Sequence, residues 1–256
     1  KVRRIEGSPF KVTSDDCKKA LDLRMMRSID EKADSKTYLV KKAKDVQIDG
    51  KVSEWPGERI NGFSMMYDDR NLYISYDGPA GLANFKNGAT EEEWKDAFRK
   101  GDVLDILIGT DPKAPKDRKT PVPGDIRLSL VPIGDNVRAI LYDYSVSGAD
   151  RKKRTEFASP WWVTTIDSIS IVPDAKIAVQ RRGDGFVLEA SIPLSAIHLD
   201  PKKGTVSGDF GRCISEQTGT RTVDRKYWSD NSSLMIGDLS VEARIAPGMW
   251  GEFRFE

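Results

Sequence analysis

The chain has 256 residues, with 41 basic and 40 acidic side chains and a formal net charge of +1. This length allows one large or two small hydrophobic cores, and the balance of charge argues against an electrostatic binder of nucleic acid or of an anionic membrane. No apolar run approaches the roughly 20 residues of a membrane-spanning helix, and no signal peptide is present.

Residues 1–44 differ from the rest of the chain. Ser14 can cap a helix that runs to about residue 30 and carries one apolar stripe, and Lys-rich turns follow it. We therefore predict an N-terminal extension or linker with a helix over residues 1–44 and one domain over residues 45–256. Because the sequence opens on Lys1 and not on methionine, we expect a processed or excised piece of a longer protein.

The remainder has the pattern of an antiparallel β protein. Short alternating runs recur about every 8 to 12 residues between Gly, Pro, Asn and Asp turns. The Asp184-Gly185 pair indicates a hairpin, since glycine takes a positive φ without steric cost. Few helices interrupt the series, so the fold class predicted is all-β, a two-layer antiparallel, jelly-roll-like β-sandwich. The predicted strands cover residues 62–67, 72–77, 103–108, 126–131, 137–144, 168–172, 176–182, 186–192, 210–215 and 250–255.

A short helix is predicted before the central strand, residues 103–108. Thr90 and Glu93 have the spacing of a capping box, in which the hydroxyl and the carboxylate each bond a first-turn or cap amide. The helix can continue only to Gly101. Alternation in the strand that follows places its apolar side chains on one face and Asp105 on the other.

An acid and a base are predicted to meet beside this helix. If the central strand pairs with residues 126–131, Asp105 and Arg127 project together from the face opposite the core. Such a pair next to Trp94 suits a sugar, because the C–H face of a sugar ring stacks on indole while its hydroxyls bond charged groups.

Several motifs, in order along the chain, resemble those of family 9 carbohydrate-binding modules and their DOMON-like relatives. The resemblance covers about residue 46 to the end and implies a β-sandwich appended to secreted polysaccharide-degrading enzymes, often stabilised by calcium. The motifs are Ile48-Asp49-Gly50-Lys51-Val52-Ser53-Glu54-Trp55, Tyr67-Asp68-Asp69-Arg70-Asn71-Leu72-Tyr73-Ile74, Gly101-Asp102-Val103-Leu104-Asp105-Ile106-Leu107-Ile108, Gly185-Phe186-Val187-Leu188-Glu189-Ala190-Ser191-Ile192-Pro193, Tyr227-Trp228-Ser229-Asp230 and Trp250-Gly251-Glu252-Phe253.

In such modules a sugar lies between tryptophan faces while an arginine and a carboxylate grip its hydroxyls. The resemblance places Trp94 before the central strand, Asp105 at the carboxylate position and Arg127 at the arginine position. Trp228 is a further candidate from its motif. Trp161 is a candidate replacement plate, since Trp161-Trp162 after Pro160 cannot both point inward from a strand.

The chain departs from the family pattern, and its candidate residues have structural interpretations too. Residues 231–236 hold no aromatic where the second tryptophan is expected, Asp105 replaces a longer Glu, and Gly109 stands where an acid is expected. Trp94 can instead pack with Phe98 at i+4. The Asp105 and Arg127 pair can be a structural ion pair on a solvated sheet face, and Trp228 can be a core residue.

Calcium is expected as a structural ion, with no organic cofactor. Loop oxygens near strand ends could gather around a hard cation, although no EF-hand loop is present. The candidate acids are Asp68, Asp69, Asp77, Asp111, Asp125 and Asp143. Cys17 and Cys213 match no zinc or haem spacing, and they form either one disulfide or two buried thiols.

No catalytic motif is evident. His198 is the lone histidine, no nucleophile elbow flanks a serine, and phosphate loops, Rossmann glycines and HExxH are absent. We therefore predict a non-catalytic carbohydrate-binding domain of a secreted, extracellular or periplasmic protein, with a polysaccharide or oligosaccharide partner and an upstream catalytic domain. The alternatives are a haem-b electron-transfer domain, with Met65, Met66 or His198 as axial ligand, and a purely structural docking sandwich.

Overall fold

The computed structural model describes residues 36–56, 58–230 and 236–256. The described residues form fourteen strands, a short helix α1 (Leu239–Glu242) and 3₁₀ helices at Trp94–Arg99, Arg151–Lys153, Leu194–Ile197, Pro201–Lys203 and Pro247–Met249. The strands are β1 (Thr37–Lys42), β2 (Phe63–Tyr67), β3 (Asn71–Pro79), β4 (Val103–Gly109), β5 (Asp125–Ile133), β6 (Asn136–Asp143), β7 (Thr155–Ala158), β8 (Val163–Ile166), β9 (Ser168–Ile171), β10 (Lys176–Arg181), β11 (Gly185–Pro193), β12 (Thr205–Ser215), β13 (Thr222–Tyr227) and β14 (Gly251–Phe255). Within the described ranges, no helix has the length and apolar character needed to cross a membrane.

The strands form the two layers of a β-sandwich. One layer has the order β10-β11-β3-β2-β1, and the other has the order β1-β14-β12-β4-β5-β6-β9 with β13 beside β12. Strand β1 belongs to both layers, since it pairs in parallel with β14 at Thr37 to Val40 and with β2 at Lys41 and Lys42. The other described strand pairs are antiparallel, including the separate β7–β8 hairpin. The predicted fold class is therefore confirmed, with a parallel junction at β1.

Strand alternation builds the core between the layers. Leu104, Ile106 and Ile108 of β4 share this core with alternate residues of β5, as the sequence predicts. At the centre of the core, the rings of Phe210 and Trp228 stack with centroids 5.1 Å apart and planes 4° apart. Trp228 is thus a component of the apolar interior.

The outer face of the β4–β5–β6 layer is also covered. A second apolar cluster joins residues of this face, such as Leu107 and Tyr142, to Phe98, Phe157 and Ile245. The last three belong to what we call the covering layer, which consists of residues 94–99, 155–166 and 239–250. Helix α1 lies at its centre, because α1 contacts the 3₁₀ helix that begins at Trp94 and both strands of the β7–β8 hairpin.

Each predicted strand overlaps an observed one, but four strands were not predicted: β1, β7, β8 and β13. Strand β1 lies within residues 1–44, the segment predicted as an extension, and pairs with β14 and β2 of the sandwich. The hydroxyl of Thr90 does accept from the N–H of Glu93, at 3.2 Å, yet the helix begins only at Trp94 and is of the 3₁₀ type. The predicted helix that Ser14 would cap lies outside the described residues.

Candidate functional site

The predicted meeting of Asp105 and Arg127 occurs as a bidentate ion pair. Arg127 Nε donates to Asp105 Oδ1 at 2.9 Å, and Arg127 Nη2 donates to Asp105 Oδ2 at 2.7 Å. The pair forms because β4 and β5 are antiparallel with Asp105 opposite Ser129 and Leu107 opposite Arg127, which places Asp105 and Arg127 diagonally on one face.

Two hydroxyls also donate to the carboxylate of Asp105. Tyr227 Oη and Ser129 Oγ each donate to Asp105, both at 2.6 Å. Burial alone would raise the pKa of Asp105, but the Arg127 guanidinium and these hydroxyls together hold it below its usual value. Asp105 therefore stays ionised inside the protein.

A second ion pair lies next to the first. Arg225 Nη2 donates to Glu242 Oε2 at 2.8 Å and to the carbonyl of Phe98 at 2.9 Å. The main-chain carbonyl of Glu242 accepts from both Arg127 and Arg225, at 3.1 and 3.2 Å. The two pairs therefore tie α1 and the Trp94–Arg99 helix to the sheet face beneath them.

The sequence predicts that the Asp105 and Arg127 pair lies on a solvated sheet face, and the structure corrects this expectation because the face is covered. Asp105 is 0% exposed and Arg127 is 1% exposed. The guanidinium of Arg127 also lies 5.1 Å from the ring centroid of Phe98, which covers it. In this structure neither charged group can reach a sugar, and both support the covering layer from below.

The tryptophans divide into buried and accessible groups. Trp228 is buried in the core between the layers, so its predicted contact with a sugar needs correction: neither indole face is open to a ligand. Trp94 is partly exposed and packs against the second cluster with its inner side. Trp161 is partly exposed at the tip of the β7–β8 hairpin. Trp94 and Trp161 are therefore the predicted aromatic residues that remain available.

Local hydrogen bonds fix the hairpin tip. The Ser159 hydroxyl accepts from the N–H groups of Trp161 and Trp162, at 3.3 and 3.2 Å, and lies 3.0 Å from the Ser240 hydroxyl of α1. Trp162 faces the guanidinium of Arg244, whose Cζ is 4.6 Å from the indole centroid. Trp162 and Arg244 were not predicted as a pair, and the only sequence signal was the adjacent Trp161-Trp162.

The six candidate calcium ligands do not form a ligand set. Asp68 accepts from Arg70 N and Asn71 N, Asp77 pairs with Arg182, Asp125 pairs with Arg118, and Asp143 lies 3.4 Å from His198. Across the described ranges, no group of three or more His, Cys, Asp or Glu side chains could hold a metal ion. The six candidate acids therefore do not fit calcium as a set.

The candidate haem ligands are likewise dispersed. Met65 lies in the core between the layers, and alternation turns the neighbouring Met66 to the opposite face of β2. The His198 side chain is 58% exposed, beside Asp143. Cys213 is a buried free thiol, and burial raises its pKa to about 11. Its possible disulfide partner Cys17 is not among the described residues.

A further buried acid anchors the segment after β13. Asp209 accepts from the N–H groups of Phe210, Ser229 and Asp230 at 2.7 to 3.0 Å. Burial, followed by the charge of Asp230, raises the pKa of Asp209 to about 8. Asp209 therefore takes up a proton on folding at neutral pH.

This pKa predicts a pH dependence of stability. Because the pKa of Asp209 is higher in the folded than in the unfolded chain, its contribution is fully present below about pH 4 and is lost as pH rises to about 8, by up to about 1.4 kcal/mol per pH unit. Urea unfolding across this range should show the decline, and Asp209→Asn should reduce it. The exposed turn variant Asp135→Asn is the control, and an equal decline in Asp209→Asn would contradict the assignment.

Comparison with solved structures finds similar folds, including two that cover most of this chain. One is a carbohydrate binding module of family 9 from Caldicellulosiruptor kristjanssonii in complex with cellotriose, with TM-score 0.54, 17% identity, and coverage of 86% of this chain and 94% of that chain. The other is a family 9 module from the same organism in complex with glucose, with TM-score 0.51, 19% identity, and coverage of 86% and 96%. No protein-family model and no curated protein matches the sequence. The chain therefore has a family 9-like β-sandwich fold.

Proposed function

We propose that this protein is a non-catalytic carbohydrate-binding module. The observation that carries the proposal is the fold. Over 86% of its length, the chain matches modules that are in complex with glucose or cellotriose. Sugar binding also suits the accessible indoles, because a partly exposed tryptophan offers an apolar plate with a polar edge. The proposed ligand is an oligosaccharide or a polysaccharide chain.

The covering layer is the proposed contact surface. Trp94 and Trp161 provide stacking faces, and Trp162, which faces the Arg244 guanidinium, follows Trp161 at the hairpin tip. Asp105 and Arg127 lie beneath this surface, and the Arg127 guanidinium packs on the ring of Phe98 in the helix that begins at Trp94. Their proposed role is to position the surface, and no contact with the sugar is required of them.

The proposed biological setting follows from this function. A module that only binds a glycan acts by holding an enzyme near its substrate, so we place it beside an upstream catalytic domain in a secreted protein. Two buried acids favour binding over hydrolysis: Asp105, beneath the covering layer, and Glu242, within it, are each engaged by an arginine. Glycoside hydrolysis needs two carboxyl groups that can reach the sugar.

Calorimetric titration with cellotriose tests the proposal. We expect binding by the parent chain and an affinity about tenfold lower in Trp161→Ala and in Trp94→Ala, which corresponds to about 1.4 kcal/mol for a lost stacking face. Leu82→Ala removes another exposed apolar side chain and should leave the affinity unchanged. Equal affinity in all four proteins would disprove the site, and retention on no glycan by the folded protein would favour the structural docking role.

A further inference from the structure

A cleft whose lining does not include Trp94 or Trp161 is formed by strands of both layers. It has a volume of about 600 Å³ and is lined by residues of β2, β3, β12 and β13, among them Phe63, Tyr76, Arg212 and Lys226. Clefts of roughly 300 to 1,000 Å³ are the usual size for small-molecule ligands. Among the described residues that line it, none is acidic.

Two cations face each other in this cleft. Arg212 of β12 lies directly opposite Lys226 of β13 in the antiparallel pair. Arg212 is also two residues beyond the core residue Phe210, so alternation places it on the inner face of its layer. Like charges directly opposite each other destabilise a sheet, and a bound anion would remove that repulsion.

Neither cation is fully neutralised. The Arg212 Nη1 group donates to Tyr76 Oη at 2.9 Å and to the carbonyl of Pro79, and among the described residues Arg212 forms no salt bridge. Lys226 has Asp224 at 3.5 Å, in a pair whose side chains are 64% and 49% exposed. Solvent screens such an exposed pair strongly. The guanidinium of Arg212 is thus fixed in place with donors left over.

Arg225 also lines the cleft, but its guanidinium is already bonded to other groups. Its guanidinium donates to the Glu242 carboxylate and to the Phe98 carbonyl, in the covering layer. Arg212 and Lys226 are therefore the two cations available to a ligand. Tyr76 and Phe63 also line the cleft but are each only 1% exposed, and the Arg212 Cζ lies 5.9 Å from the ring centroid of Tyr76.

We propose that this cleft binds the carboxylate of an acidic sugar, a uronate, with Arg212 and Lys226 as the gripping residues. A planar guanidinium matches a carboxylate through parallel hydrogen bonds, and the volume leaves room for the sugar ring. The inference rests on the proposed function only in taking the ligand to be a saccharide. It deepens that function by adding recognition of charge at a separate site.

Titration with sodium D-glucuronate, D-glucose and D-glucuronamide tests the proposal. We expect glucuronate to bind through the cleft about tenfold more tightly than either neutral sugar, and Arg212→Gln and Lys226→Gln each to weaken glucuronate about tenfold, as for the loss of a charge-assisted hydrogen bond. Added salt should weaken it as well. Lys202→Gln, the same charge change on the exposed Pro201–Lys203 helix, should have no effect.

Further variants separate the two sites and give a second measurement. Trp161→Ala should lower the affinity for cellotriose and leave the affinity for glucuronate unchanged. Arg212→Gln should lower the affinity for glucuronate and leave that for cellotriose unchanged. Lys226→Glu exchanges the repulsion across the β12–β13 pair for attraction to Arg212 but loses the exposed pair with Asp224, so the unfolding temperature should change little while glucuronate binding is abolished. Unchanged glucuronate affinity in Arg212→Gln or Lys226→Glu would overturn the proposal, as would acetate or phosphate binding as tightly as glucuronate. Glucuronate binding without any cellotriose binding would refute only the proposed Trp94 and Trp161 surface.

Discussion

Replacement of Arg127 by methionine is expected to lower the free energy of unfolding by about 3–5 kcal/mol, the usual cost of leaving one partner of a buried ion pair without its counter-charge. Asp105 would remain fully buried with no cationic partner, and only the hydroxyls of Ser129 and Tyr227 and the thiol of Cys213 would donate to it. The covering layer would also lose the bond from Arg127 to the carbonyl of Glu242. The effect is therefore large for a single side chain.

Urea unfolding measures this loss, and the same strand layer provides a matched control. Arg138 on β6 pairs with Glu91 at the surface, so Arg138→Met should cost at most about 1 kcal/mol. The double variant Asp105→Leu/Arg127→Met removes both charges and should recover much of the stability, since paired apolar replacements of buried ions are often tolerated. Equal effects of Arg127→Met and Arg138→Met would contradict a buried pair.

Trp228→Ala is the second substitution with a large expected effect, about 3–5 kcal/mol of lost unfolding free energy. The indole stacks on Phe210 and contacts the rings of Tyr38 and Phe253 at centroid distances of 6.2 and 6.3 Å. Its removal leaves a cavity at the junction where β1 joins the two layers. That cavity cannot close fully because each neighbouring ring is itself held in the core.

The contrast with Trp161 makes this prediction specific. Trp161→Ala removes a partly exposed indole and should change unfolding free energy by less than about 1 kcal/mol, while weakening cellotriose. Trp228→Ala should do the opposite, with cellotriose affinity retained under conditions where the variant is folded. Unfolding in urea and calorimetric titration of both variants check it. A stable Trp228→Ala protein that fails to bind cellotriose would contradict this prediction and indicate that Trp228 contacts the sugar.

The sequence allowed the layer around Asp105 to be predicted because its signals are local and regular. Alternation in β4 and β5 fixed which side chains share a face, and an antiparallel pairing of the two strands was enough to bring Asp105 and Arg127 together. Burial of the pair could not be predicted in the same way. The burial depends on contacts that are distant in sequence, such as the hydrogen bond from Arg127 to the carbonyl of Glu242, 115 residues further along the chain.

The elements that were missed are short or carry polar residues. Strands β7 and β8 have four residues each, and Thr-Glu-Phe-Ala and Val-Thr-Thr-Ile give little alternation over that length. In β1 the apolar residues Tyr38 and Val40 stand among exposed residues that include Lys41 and Lys42, so the segment resembled a charged linker. Strand β13 places Arg225 and Tyr227 in the interior, and only tertiary contacts with Glu242 and Asp105 make that burial favourable.

The most direct test of sugar binding through the covering layer is a heteronuclear NMR titration with cellotriose that follows the indole N–H signals of the six tryptophans. We predict that the signals of Trp94 and Trp161 shift with saturation, while those of the buried Trp55, Trp228 and Trp250 remain in place. Shifts confined to the buried indoles, or no shift of any indole at saturating cellotriose, would contradict the account.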